Sequence, residues 1–327
     1  MCDSDRIDRR RFLSLGLGSS VGAGLGLGLG AGLGFAPQSF ADKENNRPSI
    51  GLGFSLYGMK KLTIAQALRV CADVGYDGVE LTLTPGFPAQ PRLLSKAKRR
   101  ELRDLLQSLD LRLPALMENL RLVADKEAHR GNLERLKAAA ELGHDLAAKS
   151  PPVIETVLGG KPSQWEAARG AMVDRLGDWA DVAEKTRTVL AVKAHVGGAL
   201  HTPEDALWLV KQVDSPWVKL TYDFSHFQLR GFDLEKSLRL MIPHTAFIHV
   251  KDSAGDADHV RFLLPGEGKI DYVAYLKQLQ SLGYQGMPVV EVSGQIHGRA
   301  DYDPKAAASK SYRHLAAAYK KAGVRRS

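Results

Sequence analysis

The stretch "LAVKAHVGGALHTPED" (Leu190–Asp205) reads as an apolar strand, a polar loop and the start of a helix. Lys193 and His195 stand at the end of the predicted strand. Because side chains alternate across a strand, these two point to the same face. The helix start combines an N-cap threonine, a proline in the first turn and two acids that suit the helix dipole. The stretch therefore predicts one strand–loop–helix unit that directs two ionisable side chains to one place.

Units of this type occur eight times after Arg47. The predicted strands are 49–57, 77–83, 112–118, 152–160, 189–195, 217–223, 246–252 and 287–293. Helices are predicted near 63–75, 92–108, 125–148, 163–186, from 202 onward, 233–241, 271–283 and 304–322. The strands are mostly apolar without strict alternation, which is typical of strands covered by helices. Eight such units predict an α/β fold, a single (β/α)8 TIM barrel, as one domain over 49–327.

The N-terminal segment predicts export. "DRRRFLSLGLG" (Asp8–Gly18) leads into a glycine-rich, weakly apolar stretch, and Ser39 and Ala41 are small residues at cleavage positions. This resembles a twin-arginine signal peptide that is cut after Ala41. We therefore expect a signal at 1–41, a linker at 42–48 and a periplasmic protein. A membrane anchor is the alternative, and the many glycines favour cleavage over it.

The amino-acid composition limits the class of protein to which this chain can belong. The chain has 327 residues, 44% of them hydrophobic and 25% charged, as in soluble globular proteins. Its net charge of +8 becomes +7 without residues 1–41 and is spread along the sequence. That spread favours a solvated surface over nucleic-acid binding. Only Cys71 remains after cleavage, so the mature chain forms no internal disulfide.

Ionisable residues gather where the predicted strands end, the place where such barrels carry their chemistry. They are Glu80, Glu118, Glu155, Lys193, His195, Asp223, His226, His249, Lys251, Asp252 and Glu291. Burying such groups without partners is costly, so their concentration indicates a polar site. Asp223, His249 and Glu291, on successive strands, are a donor set that suits a divalent cation such as Mn²⁺, Zn²⁺ or Co²⁺. A metal-free polar rim is the alternative.

Five segments occur in an order that resembles the xylose isomerase-like TIM barrels, over about 49–322. They are "KAHVGGALHTPEDALWLV", "LTYDFSHFQLRG", "FIHVKDS", "PGEGKIDYVAYLKQL" and "GYQGMPVVEVS". That family includes sugar phosphate isomerases and epimerases, inosose dehydratases and 3-dehydroshikimate dehydratases. The resemblance implies one divalent metal (Mn, Zn, Co or Mg) on Asp223, His249 and Glu291. It also implies substrate contact at His226 and a G-E-G loop (266–268) that closes one side of the site.

The first metal ligand of the family departs from the pattern. Where the family typically has E-x-H, this chain has Lys193-Ala194-His195, and an ammonium has no lone pair for a metal. Three outcomes remain open. His195 or Glu155 replaces the missing ligand, three protein ligands and water hold the metal, or Lys193 takes the place of the cation.

The resemblance implies a sugar-active isomerase, epimerase or lyase that removes a proton next to a carbonyl. Glu291 is expected as one base, and Lys193 as the second acid or base if burial and neighbouring cations lower its pKa. His226, Lys251 and Glu155 are expected to contact substrate, and His195 to help hold the metal. The expected partner is a small carbohydrate, without nucleic acid or stable membrane association after cleavage, and the sequence is compatible with an oligomer.

Two other functions compete with this expectation. One is an exported, non-catalytic carbohydrate-binding barrel that lost catalysis together with the first ligand glutamate. The other is an endonuclease IV-like repair enzyme, which shares the fold. That enzyme needs a multi-zinc cluster with many more ligands, and a twin-arginine signal would send this chain away from the chromosome.

The export signal yields a direct prediction. Replacing Arg9 and Arg10 together by lysine should leave the protein in the cytoplasm, because the transport route reads the arginine pair. Immunoblots of periplasmic and cytoplasmic fractions, compared with the unaltered chain, measure this. Normal export of the double variant would contradict the prediction.

Overall fold

The computed structural model of the chain describes residues 49–122 and 125–327. Eight parallel strands close into a barrel in the order β1-β10-β7-β6-β5-β4-β3-β2, which confirms the predicted fold class. They are β1 (Gly53–Ser55), β2 (Gly78–Thr82), β3 (Arg112–Met117), β4 (Val153–Val157), β5 (Leu190–Lys193), β6 (Val218–Tyr222), β7 (Thr245–Val250) and β10 (Pro288–Val290). The predicted signal and linker lie outside the described residues.

Helices surround the barrel. The α-helices are Ile64–Val74, Lys96–Ser108, Lys126–Ala147, Trp165–Thr186, Pro203–Val213, Phe224–Gln228, Leu234–Met241, Tyr272–Ser281, Gly294–His297 and Pro304–Ala322. Short 3₁₀ helices span Leu56–Met59, Pro91–Leu93, Pro162–Gln164 and Ile242–His244. The capping box predicted at Thr63 is present, with both reciprocal hydrogen bonds to Gln66. Among the described helices, none is both long enough and apolar enough to span a bilayer.

The sequence did not predict three short elements at the C-terminal end of the barrel. The helices Phe224–Gln228 and Gly294–His297 are too short for an apolar period to reveal them. A third element is an antiparallel hairpin of β8 (Asp252–Ala254) and β9 (Arg261–Leu263). The hairpin leaves the barrel directly after β7 and therefore stands beside the residues that end that strand.

The barrel interior changes from apolar to ionic along the strand direction. Ala115, Ala191, Phe247, Met287 and Val289 form one buried apolar cluster. Alternate residues of a strand share a face, so the positions two residues after Ala191, Phe247 and Val289 also point inward. Those positions are Lys193, His249 and Glu291. The apolar cluster thus forms a floor beneath three ionisable side chains.

Asp252 anchors the G-E-G loop that follows the hairpin. Its buried carboxylate accepts hydrogen bonds from the backbone N–H of Gly266 (2.7 Å), Gly268 (3.0 Å) and Ile270 (3.3 Å). Gly266 has a φ of +90°, which favours glycine, and a Cβ at Gly268 would lie 2.8 Å from the Cβ of Asp252. Both glycines are therefore needed for the loop to close on this carboxylate.

Replacing Asp252 by alanine should lower the free energy of unfolding by about 3 kcal/mol, because three backbone N–H groups lose their acceptor. Urea unfolding measures this. The matched control is Asp258→Ala on the exposed hairpin turn, which should change stability by less than about 0.5 kcal/mol. Equal stability of the two variants would show that the loop does not depend on this anchor.

Candidate active site

The C-terminal half of the barrel holds eight side chains that we call the ionic cluster. It consists of Glu80, Glu155, Lys193, Asp223, His226, His249, Lys251 and Glu291. The side chain of Glu291 is 12% exposed, and no other member exceeds 3%. The cluster is therefore closed almost everywhere, and Glu291 is its most accessible member.

Lys193 stands at the centre of the ionic cluster. Its Nζ lies 2.8 Å from Nδ1 of His249, 3.1 Å from Oε2 of Glu291 and 3.2 Å from Oε1 of Glu155. Burial alone would lower the pKa of Lys193, but the carboxylates, Glu155 foremost, raise it above its ordinary value. The sequence-based expectation of a lowered pKa is therefore wrong, because carboxylates rather than cations dominate around the amine. The surroundings of Lys193 therefore favour its charged form, and its role as an acid or base remains a prediction.

Lys251 makes the second set of ion pairs. Its Nζ donates to Oδ2 of Asp223 and, over 2.6 Å, to Oε2 of Glu291. The same oxygen of Glu291 thus binds both ammonium groups. Burial by itself would raise the pKa values of Asp223 and Glu291, but Lys251 and Lys193 outweigh it and hold both pKa values well below the ordinary range. Both carboxyl groups are therefore ionised at neutral pH.

The carboxylate of Glu80 holds the ring of His249 in place. Oε2 of Glu80 lies 2.9 Å from Nε2 of His249. In the neutral ring, Nε2–H donates to this carboxylate and Nδ1 keeps a lone pair that accepts from Lys193. Burial lowers the pKa of His249, whereas Glu80 and Glu291 raise it, and the net shift is upward. Glu80 thus sets the orientation of the ring, in the manner of a carboxylate behind a metal-binding histidine.

The ring of His195 lies at a tilt against the ring of His226, a member of the ionic cluster, with ring centroids 4.2 Å apart. The backbone N–H of Gly197 donates to Nδ1 of His195, and that of Val196 donates to Nδ1 of His226. Burial and neighbouring positive groups lower the pKa of His195 to about 2 and that of His226 to about 4. Both rings are neutral at physiological pH. Phe262 of β9 contacts His226 edge-on, with centroids 5.0 Å apart.

An aromatic group at the strand ends was missed by the sequence reasoning. Tyr57 stacks on Phe87 (5.3 Å between centroids) and meets the edge of His297 (4.6 Å). Burial, and then the charge of Glu291, raise the pKa of Tyr57, so its hydroxyl stays protonated. Each of these residues follows a strand end without a recognisable motif, so position after a strand was the only available signal.

The structure brings some of the predicted residues together and separates others. Donor atoms of Asp223, His249 and Glu291 lie within 4.8 Å of one another, as the metal hypothesis requires. His195 is outside this group, since β5 ends at Lys193 and the histidine belongs to the next loop. Glu155 is fully buried against Lys193. The roles predicted for these residues remain predictions, and Glu118 pairs with Arg135 instead of joining the cluster.

A divalent metal suits the donor types but not their present partners. Oδ2 of Asp223 binds Lys251, Nδ1 of His249 binds Lys193, and Oε2 of Glu291 binds both. A metal would compete with an ammonium for every one of these atoms. The residues of this chain therefore do not fit a resident divalent ion.

Lys251→Met should lower the free energy of unfolding by about 3–5 kcal/mol, because it leaves buried carboxylates without a counter-charge. Chemical denaturation at neutral pH measures the loss. Lys277→Met, on the exposed face of Tyr272–Ser281, is the matched control and should be nearly neutral. A stability loss no larger than that of the control would contradict the ion-pair assignment.

Known proteins share this fold and parts of this sequence. Residues 68–318 match the family model described as "Xylose isomerase-like TIM barrel". An inosose dehydratase of Geobacillus kaustophilus is 26% identical over 61% of this chain and 70% of its own length. An inosose isomerase of Bacillus licheniformis is 25% identical over 72% of this chain and 85% of its own length.

Solved structures show the same barrel. A structure of IOLI protein with a zinc atom has a TM-score of 0.67 and 20% identity, and covers 84% of this chain and 98% of that one. The 3-keto-D-glucoside 4-epimerase of E. coli has a TM-score of 0.65 and 20% identity, with 82% and 99% covered. Since the family model spans more than half of the sequence, this chain belongs to the xylose isomerase-like TIM barrel family.

Proposed function

We propose that this protein is a sugar-active isomerase, epimerase or lyase that moves a proton on the carbon next to a carbonyl. The observation that carries the proposal is Glu291, an ionised carboxylate that is the most accessible member of a cluster holding two buried ammonium groups. Relatives named for inosose and a fold neighbour named for a 3-keto-D-glucoside support a keto-sugar or keto-polyol as substrate. An exported, periplasmic location is part of the proposal.

Glu291 is the proposed base. It removes the proton from the carbon, the C–H electron pair forms the C=C bond, and the carbonyl π pair moves to oxygen. A carboxylate held by two ammonium groups is a weak base at rest. When the developing enolate oxygen draws one ammonium toward itself, the remaining carboxylate becomes more basic.

Positive and hydrogen-bond-donating groups near the base would stabilise the enolate oxygen. Lys193 and Lys251 are cations held by buried contacts, and His195 is a neutral ring whose Nδ1 is already occupied. The Nε2–H of His195 and the hydroxyl of Tyr57 are therefore further donors for a substrate oxygen. In many enzymes such preorganised donors make the largest single contribution to lowering the energy of the transition state. Returning the proton from Glu291 to carbon completes epimerisation or isomerisation. In dehydration the carbonyl forms again, the enolate C=C pair moves to form the α,β double bond, the bond to the β-hydroxyl breaks, and the proton on Glu291 leaves with that hydroxide as water.

Glu291→Gln should lower the rate of proton removal by about 10²–10⁴-fold, because the amide cannot accept the proton. The measurement is deuterium incorporation next to the carbonyl in D₂O, followed by NMR with inosose and a panel of 3-keto-glucosides. This reaction precedes the step that separates epimerase, isomerase and lyase.

Glu235→Gln, on the exposed face of the helix Leu234–Met241, is the control and should exchange at the rate of the unaltered protein. If the unaltered protein binds a panel sugar but exchanges no proton, it is a carbohydrate-binding barrel and the enzymatic proposal fails. Wild-type exchange by Glu291→Gln would remove this residue as the base.

A further inference from the structure

We propose that the ammonium groups of Lys193 and Lys251 take the place of a divalent cation, so that the protein works without a bound metal. This inference rests on the proposed function, because it specifies which groups supply the positive charge in the proposed active site. It rests on which atoms the two Nζ groups contact.

Each of the three residues that could hold a metal already gives one donor atom to an ammonium. Lys251 bridges Asp223 and Glu291, whereas Lys193 bridges His249 and Glu291. Asp223, His249 and Glu291 are also the three residues whose donor atoms lie within 4.8 Å of one another. The two ammonium groups therefore contact the same three residues that a metal would use.

Charge supports the same assignment. Two ammonium groups bring two positive charges, as a divalent ion does, and they bring them to the carboxylates of Asp223 and Glu291. A metal placed among the same donors would meet two like charges at hydrogen-bonding distance from its ligands, which disfavours binding. An ammonium also donates hydrogen bonds, so it supplies both the charge and a donor for a substrate oxygen.

The position of Lys193 explains why the chain can dispense with the ion. This residue ends β5 and points inward above Ala191, at the position that carries the first metal ligand in the family pattern. Lysine at position 193 thus removes the ligand glutamate of the family pattern and adds a positive charge. Glu155 below it, 3.2 Å from Nζ, supplies a further negative partner for the buried ammonium.

The test compares metal binding by the purified full-length protein, Lys193→Glu, Lys193→Gln and the control Lys277→Glu. Elemental analysis gives the metal content, and calorimetry with Mn²⁺, Co²⁺ and Zn²⁺ gives the affinity. The Tm with EDTA or Mn²⁺ is a readout that needs no substrate. We expect no stoichiometric metal and no Tm change for the unaltered protein and for Lys277→Glu.

Lys193→Glu should bind one metal ion with an affinity more than about tenfold higher than the unaltered protein, and its Tm should rise with Mn²⁺. Lys193→Gln removes the ammonium without adding a ligand charge, and it should bind metal more weakly than the glutamate variant but more tightly than the unaltered protein. If the glutamate variant does not fold, the metal affinity of Lys193→Gln still tests the inference.

A stoichiometric metal in the unaltered protein, lost to EDTA with a fall in Tm, would overturn the inference. Folded position-193 variants that bind no more metal than the unaltered protein would also overturn it. Deuterium exchange by a metal-containing protein would leave the proposed function standing while this inference fails.

Discussion

One oxygen of Glu291 binds two ammonium groups, and the organisation of the site depends on this shared contact. Lys193 ends β5 and Lys251 directly follows β7, with β6 between these strands, and the two meet at Oε2 of Glu291 at 3.1 and 2.6 Å. Each ammonium then reaches one further donor, His249 or Asp223. Removing the glutamate would leave both cations with fewer counter-charges in a closed space, so the cluster holds together as a unit.

The barrel makes such a cluster tolerable. Buried charges are costly unless they are paired, and here the pairing comes from different strands whose inward positions converge. The apolar floor of Phe247, Val289 and their neighbours closes the interior from below. On the other side, Phe262 covers the histidine pair and lies 5.0 Å from Nζ of Lys251. Few waters can screen the charges in this setting, which strengthens each contact.

The sequence predicted the fold and the location of the site because both rest on local signals. Apolar strands, helix caps and ionisable residues at strand ends are readable one segment at a time, and they placed Asp223, His249 and Glu291 together. The pKa of Lys193 was not predictable in the same way, since it depends on carboxylates from other strands, chiefly Glu155. His195 was assigned to the strand although β5 ends two residues earlier, and its backbone contact with Gly197 has no sequence signature.

The most direct test is anomalous diffraction from crystals of the unaltered protein grown with Co²⁺ or Zn²⁺ and measured at the absorption edge of the metal. The predicted map shows no anomalous peak among Asp223, His249 and Glu291, with Nζ of Lys193 and Lys251 in contact with Oε2 of Glu291. A fully occupied peak bound by those three residues, with the two lysine side chains turned away, would contradict the claim that two ammonium groups replace the metal.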